Sequence, residues 1–133
     1  MRIILILLSI SCFSIMDAAA QEKNWFDANG NSSTKEKAVY YRISFNNKIE
    51  NKLIVDYYIS GEKAKEFFFV EGSKDGKFIE FYVTGEVKTT GKFEDGYRDG
   101  MWKTYDKNGN IKEKGKYDKG KKVGVWKNFY KNN

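Results

Sequence analysis

Histidine and proline do not occur in this 133-residue sequence, and cysteine occurs once, as Cys12. Without histidine the side chain most used for proton transfer and metal binding at neutral pH is missing. One cysteine cannot close a disulfide within the chain, and no Cys/His zinc site can be assembled. The lack of proline suits a chain made mostly of central strands, where proline would remove a ladder hydrogen bond. Only one long apolar run occurs, Ile3 to Met16, which is short of the roughly 20 residues an easy membrane span needs. Acidic residues are scarce towards the end. Residues 21–99 carry thirteen basic and fourteen acidic side chains, whereas residues 100–133 carry ten lysines and three acids.

The apolar run follows Met1 and Arg2 and precedes Ala18-Ala19-Ala20. This order of charge, apolar core and small residues is that of a secretory signal peptide over residues 1–20, with cleavage after Ala20. The expected location is therefore exported: periplasm, outer-membrane surface or medium. Lipidation of Cys12 is the alternative, and Ser9, three positions before it, fits a lipoprotein signal poorly. Cleavage at Ala20 leaves a processed chain with no cysteine at all.

What is abundant is a repeat. From Gly76 onward a 24-residue unit recurs, opened by Gly76, Gly100 and Gly124. At that period Phe78, Trp102 and Trp126 coincide, as do Phe81, Tyr105 and Phe129; Gly85 falls on Gly109, Val87 on Ile111, Gly91 on Gly115, Phe93 on Tyr117 and Gly96 on Gly120. Periods of this length mark arrays of supersecondary units. Tyr57 to Glu62 matches Phe81 to Glu86, so a degenerate copy covers residues 52–75, with Phe67 where Gly91 stands. The expected organisation is residues 1–20 signal peptide, 21–51 lead-in and capping strands, and 52–133 repeat array (52–75 degenerate, 76–99, 100–123, 124–133 a half unit).

Each unit reads as two antiparallel strands. Thr84-Gly85 and Asn108-Gly109 are two-residue hairpin signals in which both central residues take positive φ. Gly96 to Gly100 and Gly120 to Gly124 read as a longer second connection. Ala38 to Phe45, Ile49 to Ile59 and Ala64 to Glu71 are further strands, separated by turns at Asn46-Asn47 and Ser60-Gly61. The run Phe67 to Val70 suits a strand buried on both faces. Residues 21–36 are polar and turn-rich, with a turn at Asn29-Gly30-Asn31, and Trp25 and Phe26 are expected to tuck onto the first face of the array. The fold class is all-β: an antiparallel meander of hairpin repeats forming an elongated, open, twisted sheet.

Alternation along the second strand of each unit puts Val87, Thr89, Gly91 and Phe93 on one face, and Lys88, Thr90 and Lys92 on the other. The next copy repeats this with Ile111, Glu113, Gly115 and Tyr117 against Lys112, Lys114 and Lys116. A strand glycine lets an aromatic ring from the adjacent strand lie across its backbone. Trp102, Trp126, Tyr105, Phe129 and Tyr117 then form an aromatic ladder. Trp102 and Tyr105 have opposite parity, which requires a bulge or two half-buried faces.

The pattern Gly100, Trp102, Tyr105, then Asn108, Gly109, Ile111, then Gly115, Tyr117, Gly120, Gly124 resembles the MORN-repeat-variant family of bacteria. The match is close over residues 76–130 and weaker over 52–75. Members of that family are often labelled antitoxin components, and some are exported repeat proteins of Bacteroidetes-like bacteria. The resemblance implies hairpin arrays that bind proteins or membranes, with no catalytic residues.

The expected function is thus an exported, non-enzymatic module for protein or cell-envelope binding. The alternatives are an antitoxin-like neutraliser of a toxin and a structural envelope component without a dedicated ligand. Candidate binding residues are Trp102, Tyr105, Trp126, Lys112, Lys114, Lys116, Lys121 and Lys122; Gly85, Gly96, Gly100, Gly109, Gly120 and Gly124 are structural turn positions. No cofactor, metal or small-molecule substrate is expected. Partners are an unknown protein or an anionic envelope surface, with self-association possible through an open sheet edge and nucleic acid ranked below these. For the lysines alone, the reading as guards of a terminal sheet edge is slightly favoured over an anionic partner, because lysine is the ordinary gatekeeper there. Asp75, Glu80, Asp95 and Asp99 are carboxylates of the kind a glycoside hydrolase pairs, but acids near turns are usually solvated and nothing in the sequence fixes their separation.

Overall fold

The structure is a computed structural model, and it describes residues 22–44 and 51–129. The signal-peptide reading, Cys12, the Asn46-Asn47 turn and Tyr130 lie outside the described residues. Among them nine strands form one antiparallel sheet in chain order, without closing into a barrel. They are β1 (Glu22–Phe26), β2 (Tyr40–Ser44), β3 (Asn51–Tyr58), β4 (Lys63–Val70), β5 (Ser73–Phe81), β6 (Val87–Glu94), β7 (Tyr97–Tyr105), β8 (Ile111–Asp118) and β9 (Lys121–Asn128). Every strand pairs with its sequence neighbours, so the meander expected from the repeat is present. Trp25 and Phe26 do more than tuck: they lie in β1, where Trp25 pairs with Tyr41 and Phe26 with Tyr40.

The two kinds of turn are the reverse of the sequence expectation. Glu71-Gly72, Asp95-Gly96 and Lys119-Gly120 all have positive φ and join Val70 to Ser73, Glu94 to Tyr97 and Asp118 to Lys121. These are the tight two-residue hairpins, because two positive φ values match the twist of the flanking strands. Gly100 and Gly124, expected in a longer connection, lie within β7 and β9. At Asn108-Gly109 only the glycine has positive φ. There the N–H of Asp106 donates to Asn110 O at 2.8 Å and that of Gly109 to Asp106 O at 3.0 Å. This is a three-residue loop ending in a glycine bulge. The same pair of backbone bonds closes Asp27–Asn31, Tyr58–Glu62 and Tyr82–Glu86. In the first and last of the four loops an aspartate adds a cap: Asp27 and Asp106 each accept from two backbone N–H groups at 2.9 Å.

Two sets of bulges then set the faces. One register shift adjoins each of three of the four glycine loops, between Asp56 and Tyr57, between Glu80 and Phe81 and between Thr104 and Tyr105. It puts Val87 opposite Phe81 and Ile111 opposite Tyr105, away from Phe93 and Tyr117, which corrects the alternation read from sequence. Lys88 also changes sides: its ammonium reaches Glu80, the cross-strand partner of Thr89, at 3.2 Å. The second set lies around Gly76, Gly100 and Gly124. Between Lys92↔Asp99 and Thr90↔Lys103, for example, β7 advances four residues while β6 advances two. A positive φ at these glycines turns the backbone there, which a side chain with a Cβ resists.

The core is one row of rings on one face of the sheet. Phe67, Phe78 and Trp102 are buried, with Phe69, Phe93, Tyr117 and Trp126 packed against them. The run Phe67 to Val70 is not buried on both faces: Phe67 joins the row while Phe68 is 43 % exposed. A single sheet has no second layer to cover its other side.

Candidate binding surface

The row of rings is built by glycine. Gly91 and Gly115 are the two glycines without positive φ. A Cβ on Gly91 would lie 2.2 Å from Cδ2 of Trp102, and one on Gly115 would lie 2.3 Å from the same atom of Trp126. Each indole therefore lies flat across the preceding strand, as the sequence implied. Where the degenerate unit meets the next, both partners change together: Phe67 replaces the glycine and the smaller Phe78 of the 76–99 unit replaces tryptophan, with their centroids 6.4 Å apart. Successive rings meet edge to face, with Phe93–Trp102 at 5.2 Å, Trp102–Tyr117 at 5.9 Å and Tyr117–Trp126 at 5.1 Å. Such pairs add about 0.5–1.5 kcal/mol each beyond area burial.

Cations roof this row. Lys74, Arg98 and Lys122 stand 24 residues apart in sequence. Lys74 lies 4.7 Å from the Phe67 centroid, Arg98 4.4 Å from that of Trp102, and Lys122 4.0 Å from that of Trp126. Arg42 lies over Phe26 and Phe67 and is bound in a fork to Asp56 at 2.6 and 3.0 Å. Trp102 is 2 % exposed, and its Nε1 donates to Lys92 O at 3.1 Å and Asp99 O at 3.2 Å. It is a core residue. Tyr105 and Phe129, expected in the ladder, are not: Tyr105 lies within 3.5 Å of the Thr90 hydroxyl, and Phe129 is exposed beneath Lys114.

The opposite face carries the lysines. Lys103 on β7 pairs directly with Lys114 on β8, and Lys114 pairs with Lys127 on β9. Lys116 lies beside them, opposite Met101 and Val123. Adjacent strands are about 4.8 Å apart, so three like charges stand in consecutive positions across the sheet. Directly opposed like charges oppose folding by a few tenths to about 1 kcal/mol per pair. No acid offsets this: Lys103, Lys114, Lys116 and Lys127 are in no ion pair among the described residues. A shallow groove of about 380 Å³ runs beside the row, lined by Met101, Lys116, Val123 and Val125. Val125 is 81 % exposed.

Of the candidate residues, then, Lys114 and Lys116 share the lysine-bearing face. Lys122 is bound to Glu113 at 3.1 Å and roofs Trp126 on the other. Lys112 is exposed and its carbonyl accepts from Phe129 N–H at 2.7 Å. Lys121 is exposed at the turn, opposite Asp118. Lys103 and Lys127 were missed. Only the cross-strand register brings them beside Lys114; nothing in their local sequence does.

A second groove, of about 650 Å³, lies at the tight-turn end and is lined by Glu94, Asp95, Tyr97, Asp99, Asp118 and Lys119. Asp99 is tied to Lys92 at 3.2 Å, and Asp75 accepts the N–H of Asp95 at 3.3 Å. Glu80, the fourth of these carboxylates, is paired with Lys88 towards the other end of the unit. Among the described residues no group of His, Cys, Asp or Glu is placed to hold a metal ion.

Fold and surface together define a class, a single-sheet hairpin-repeat protein with one aromatic face and one basic face. No protein-family model, curated protein or solved structure matches the chain.

Proposed function

We propose that the protein is an exported, non-enzymatic module that mediates protein or cell-envelope binding, and that it docks through the lysine face of β7 to β9 onto an anionic envelope surface. The observation that carries this is the uncompensated row Lys103–Lys114–Lys127. A sequence selected for stability alone would place an acid in at least one of those positions, as Glu113 is placed for Lys122. Edge guarding does not account for it either, since Lys103 and Lys114 lie on interior strands. The exposed Met101, Val123 and Val125 beside the lysines suit a headgroup boundary, where ammonium groups meet phosphates and short apolar chains reach below them. Export rests on the leader-like residues 1–20.

Co-sedimentation of the purified protein with vesicles containing anionic lipid tests the reading. Binding is expected at low salt and is expected to fall steeply towards 0.5 M salt, with neutral vesicles left unbound. Equal binding to both vesicle types, or binding indifferent to salt, would refute the docking mode.

A further inference from the structure

The aromatic face holds a second set of cations that the docking reading does not use. Arg42, Lys65, Lys74 and Arg98 gather around Phe67 and its neighbouring rings. Lys74 is half-buried, with its ammonium 4.7 Å from the Phe67 centroid, 5.2 Å from Phe93 and 5.9 Å from Phe78. Arg42 shares the Phe67 ring at 5.4 Å. Lys65 stands over Tyr40 at 4.4 Å, and Arg98 over Trp102 and Tyr117 at 4.4 and 5.3 Å. The carboxylate that faces Lys74 is Asp56, and both of its oxygens are taken by Arg42. Lys65, Lys74 and Arg98 are in no ion pair among the described residues.

The rings account for only part of this. A cation over an aromatic face recovers about 0.5–2 kcal/mol, but it does nothing about the repulsion between neighbouring cations. Burial, then the charges of Lys65, Arg42 and Arg98, hold Lys74 below the ordinary lysine value against the pull of Asp56. Lys122, the equivalent of Lys74 two units on, has its own acid in Glu113. Lys74 and Arg98 have none. What would satisfy the cluster is a negative group seated above Lys74. Arg98 donates from Nη1 to the Tyr117 hydroxyl at 3.1 Å and keeps its other guanidinium donors for an oxyanion, and Lys65 offers a second ammonium.

We propose that the aromatic face carries an anion-binding site centred on Lys74 and flanked by Lys65 and Arg98, which takes a multivalent oxyanion bearing phosphate or carboxylate groups. Arg42 is held in place by Asp56 and forms the wall of the site. Lys65 stands in register between Asp56 and Glu80, which are already engaged by Arg42 and Lys88, and the three cations together suit a ligand with at least two negative charges. The site lies on the face opposite the lysine row, so it stands or falls independently of the docking surface.

Isothermal titration of the purified protein with inorganic triphosphate, and separately with citrate, tests this. Binding of at least one probe is expected, weakening with added salt. Tight triphosphate with absent citrate identifies phosphate as the recognised group; binding of both identifies any close-set oxyanions. Lys74→Met keeps the side chain's apolar stem over the rings and is expected to weaken binding about tenfold or more, the size of a lost charge-assisted hydrogen bond. Lys74→Arg is expected to retain it. Lys114→Met, on the other face, is expected to leave it unchanged. Lys65→Met, whose ammonium stands over Tyr40 and not over the buried rings, reads the same loss should Lys74→Met fail to fold. Absence of binding by both probes would overturn the site, and so would equal losses in Lys74→Met and Lys114→Met.

Discussion

Adding one methyl group at Gly91 tests the construction of the core. The Cβ of Gly91→Ala would sit 2.2, 2.3 and 2.6 Å from Cδ2, Cε2 and Cε3 of Trp102. These atoms form the middle of the indole, so no small rotation of a flexible tip relieves the clash. Trp102 cannot slide along the strand either, because its Nε1 is anchored on Lys92 O and Asp99 O. Overpacking costs about 1–3 kcal/mol, and a site with this little freedom belongs at the upper end. Alanine recovers about 0.5–1 kcal/mol of backbone entropy relative to glycine. The net expectation is a loss of about 2 kcal/mol, a large share of the 5–15 kcal/mol that holds a typical domain. Urea unfolding followed by tryptophan fluorescence reads it directly. The Phe67–Phe78 pair supplies the control, since these two rings replace glycine and tryptophan together. Trp102→Phe should therefore cost less in the Gly91→Ala background than in the parent, giving a favourable coupling of about 1 kcal/mol in a double-mutant cycle. A Gly91→Ala variant within 0.5 kcal/mol of the parent, or strict additivity in the cycle, would refute the ring-over-glycine account.

Three further outcomes are expected. Tyr82→Phe removes the hydroxyl that donates to Tyr105 O at 2.7 Å, and Tyr58→Phe the equivalent bond to Phe81 O at 2.6 Å; each should cost about 0.5–1.5 kcal/mol in urea unfolding. Asp106→Ala leaves the N–H groups of Asn108 and Asn110 without their acceptor and should lower stability by about 1 kcal/mol, whereas a change below 0.3 kcal/mol would show the loop is held by its glycine alone. Burial, followed by the charge of Glu80, raises the Tyr40 phenol above its ordinary value, and burial likewise raises Tyr58. A raised acid contributes stability that is complete below the unfolded value near 10 and is lost as pH climbs through the folded value. Thermal unfolding should accordingly show an alkaline loss above pH 10 that is smaller in Tyr40→Phe; an unchanged alkaline limb would contradict the assignment.

The 24-residue period exposed the meander and the ring over each strand glycine, because each of these depends on residue type at a fixed phase; that Phe67 and Phe78 replace glycine and tryptophan as a packed pair follows only from the register. Turn type was misread for a definite reason. Asn-Gly serves both a two-residue hairpin and a three-residue loop with a glycine bulge, and here Asp106, two residues before Asn108, caps the longer one. The tight turns use Glu71, Asp95 and Lys119 at positive φ; Asp95-Gly96 is an Asp-Gly hairpin signal legible in the sequence, whereas Glu71-Gly72 and Lys119-Gly120 put residue types there that rarely take positive φ. The bulges at Gly76, Gly100 and Gly124 each add residues to one strand only, and simple alternation fails across them. The lysine row was half legible. Lys114 and Lys116 follow from alternation along one strand, but Lys103 and Lys127 join them only through register across three. The cation roof was not seen at all, since Lys74, Arg98 and Lys122 repeat in phase but their meaning depends on which rings lie below.

The most direct test of the docking surface compares two charge-matched variants on anionic vesicles, Lys103→Gln/Lys114→Gln/Lys127→Gln and Lys23→Gln/Lys37→Gln/Lys119→Gln, the latter set exposed and scattered. Each lysine near an anionic leaflet contributes about 1 kcal/mol, so the row variant should bind on the order of 100-fold more weakly. It should also unfold at slightly higher urea, because opposed like charges have been removed. Weaker binding together with greater stability is the signature of a row kept for docking. Equal losses in the two variants would mean that only net charge matters, and would contradict the assignment of the surface to β7, β8 and β9.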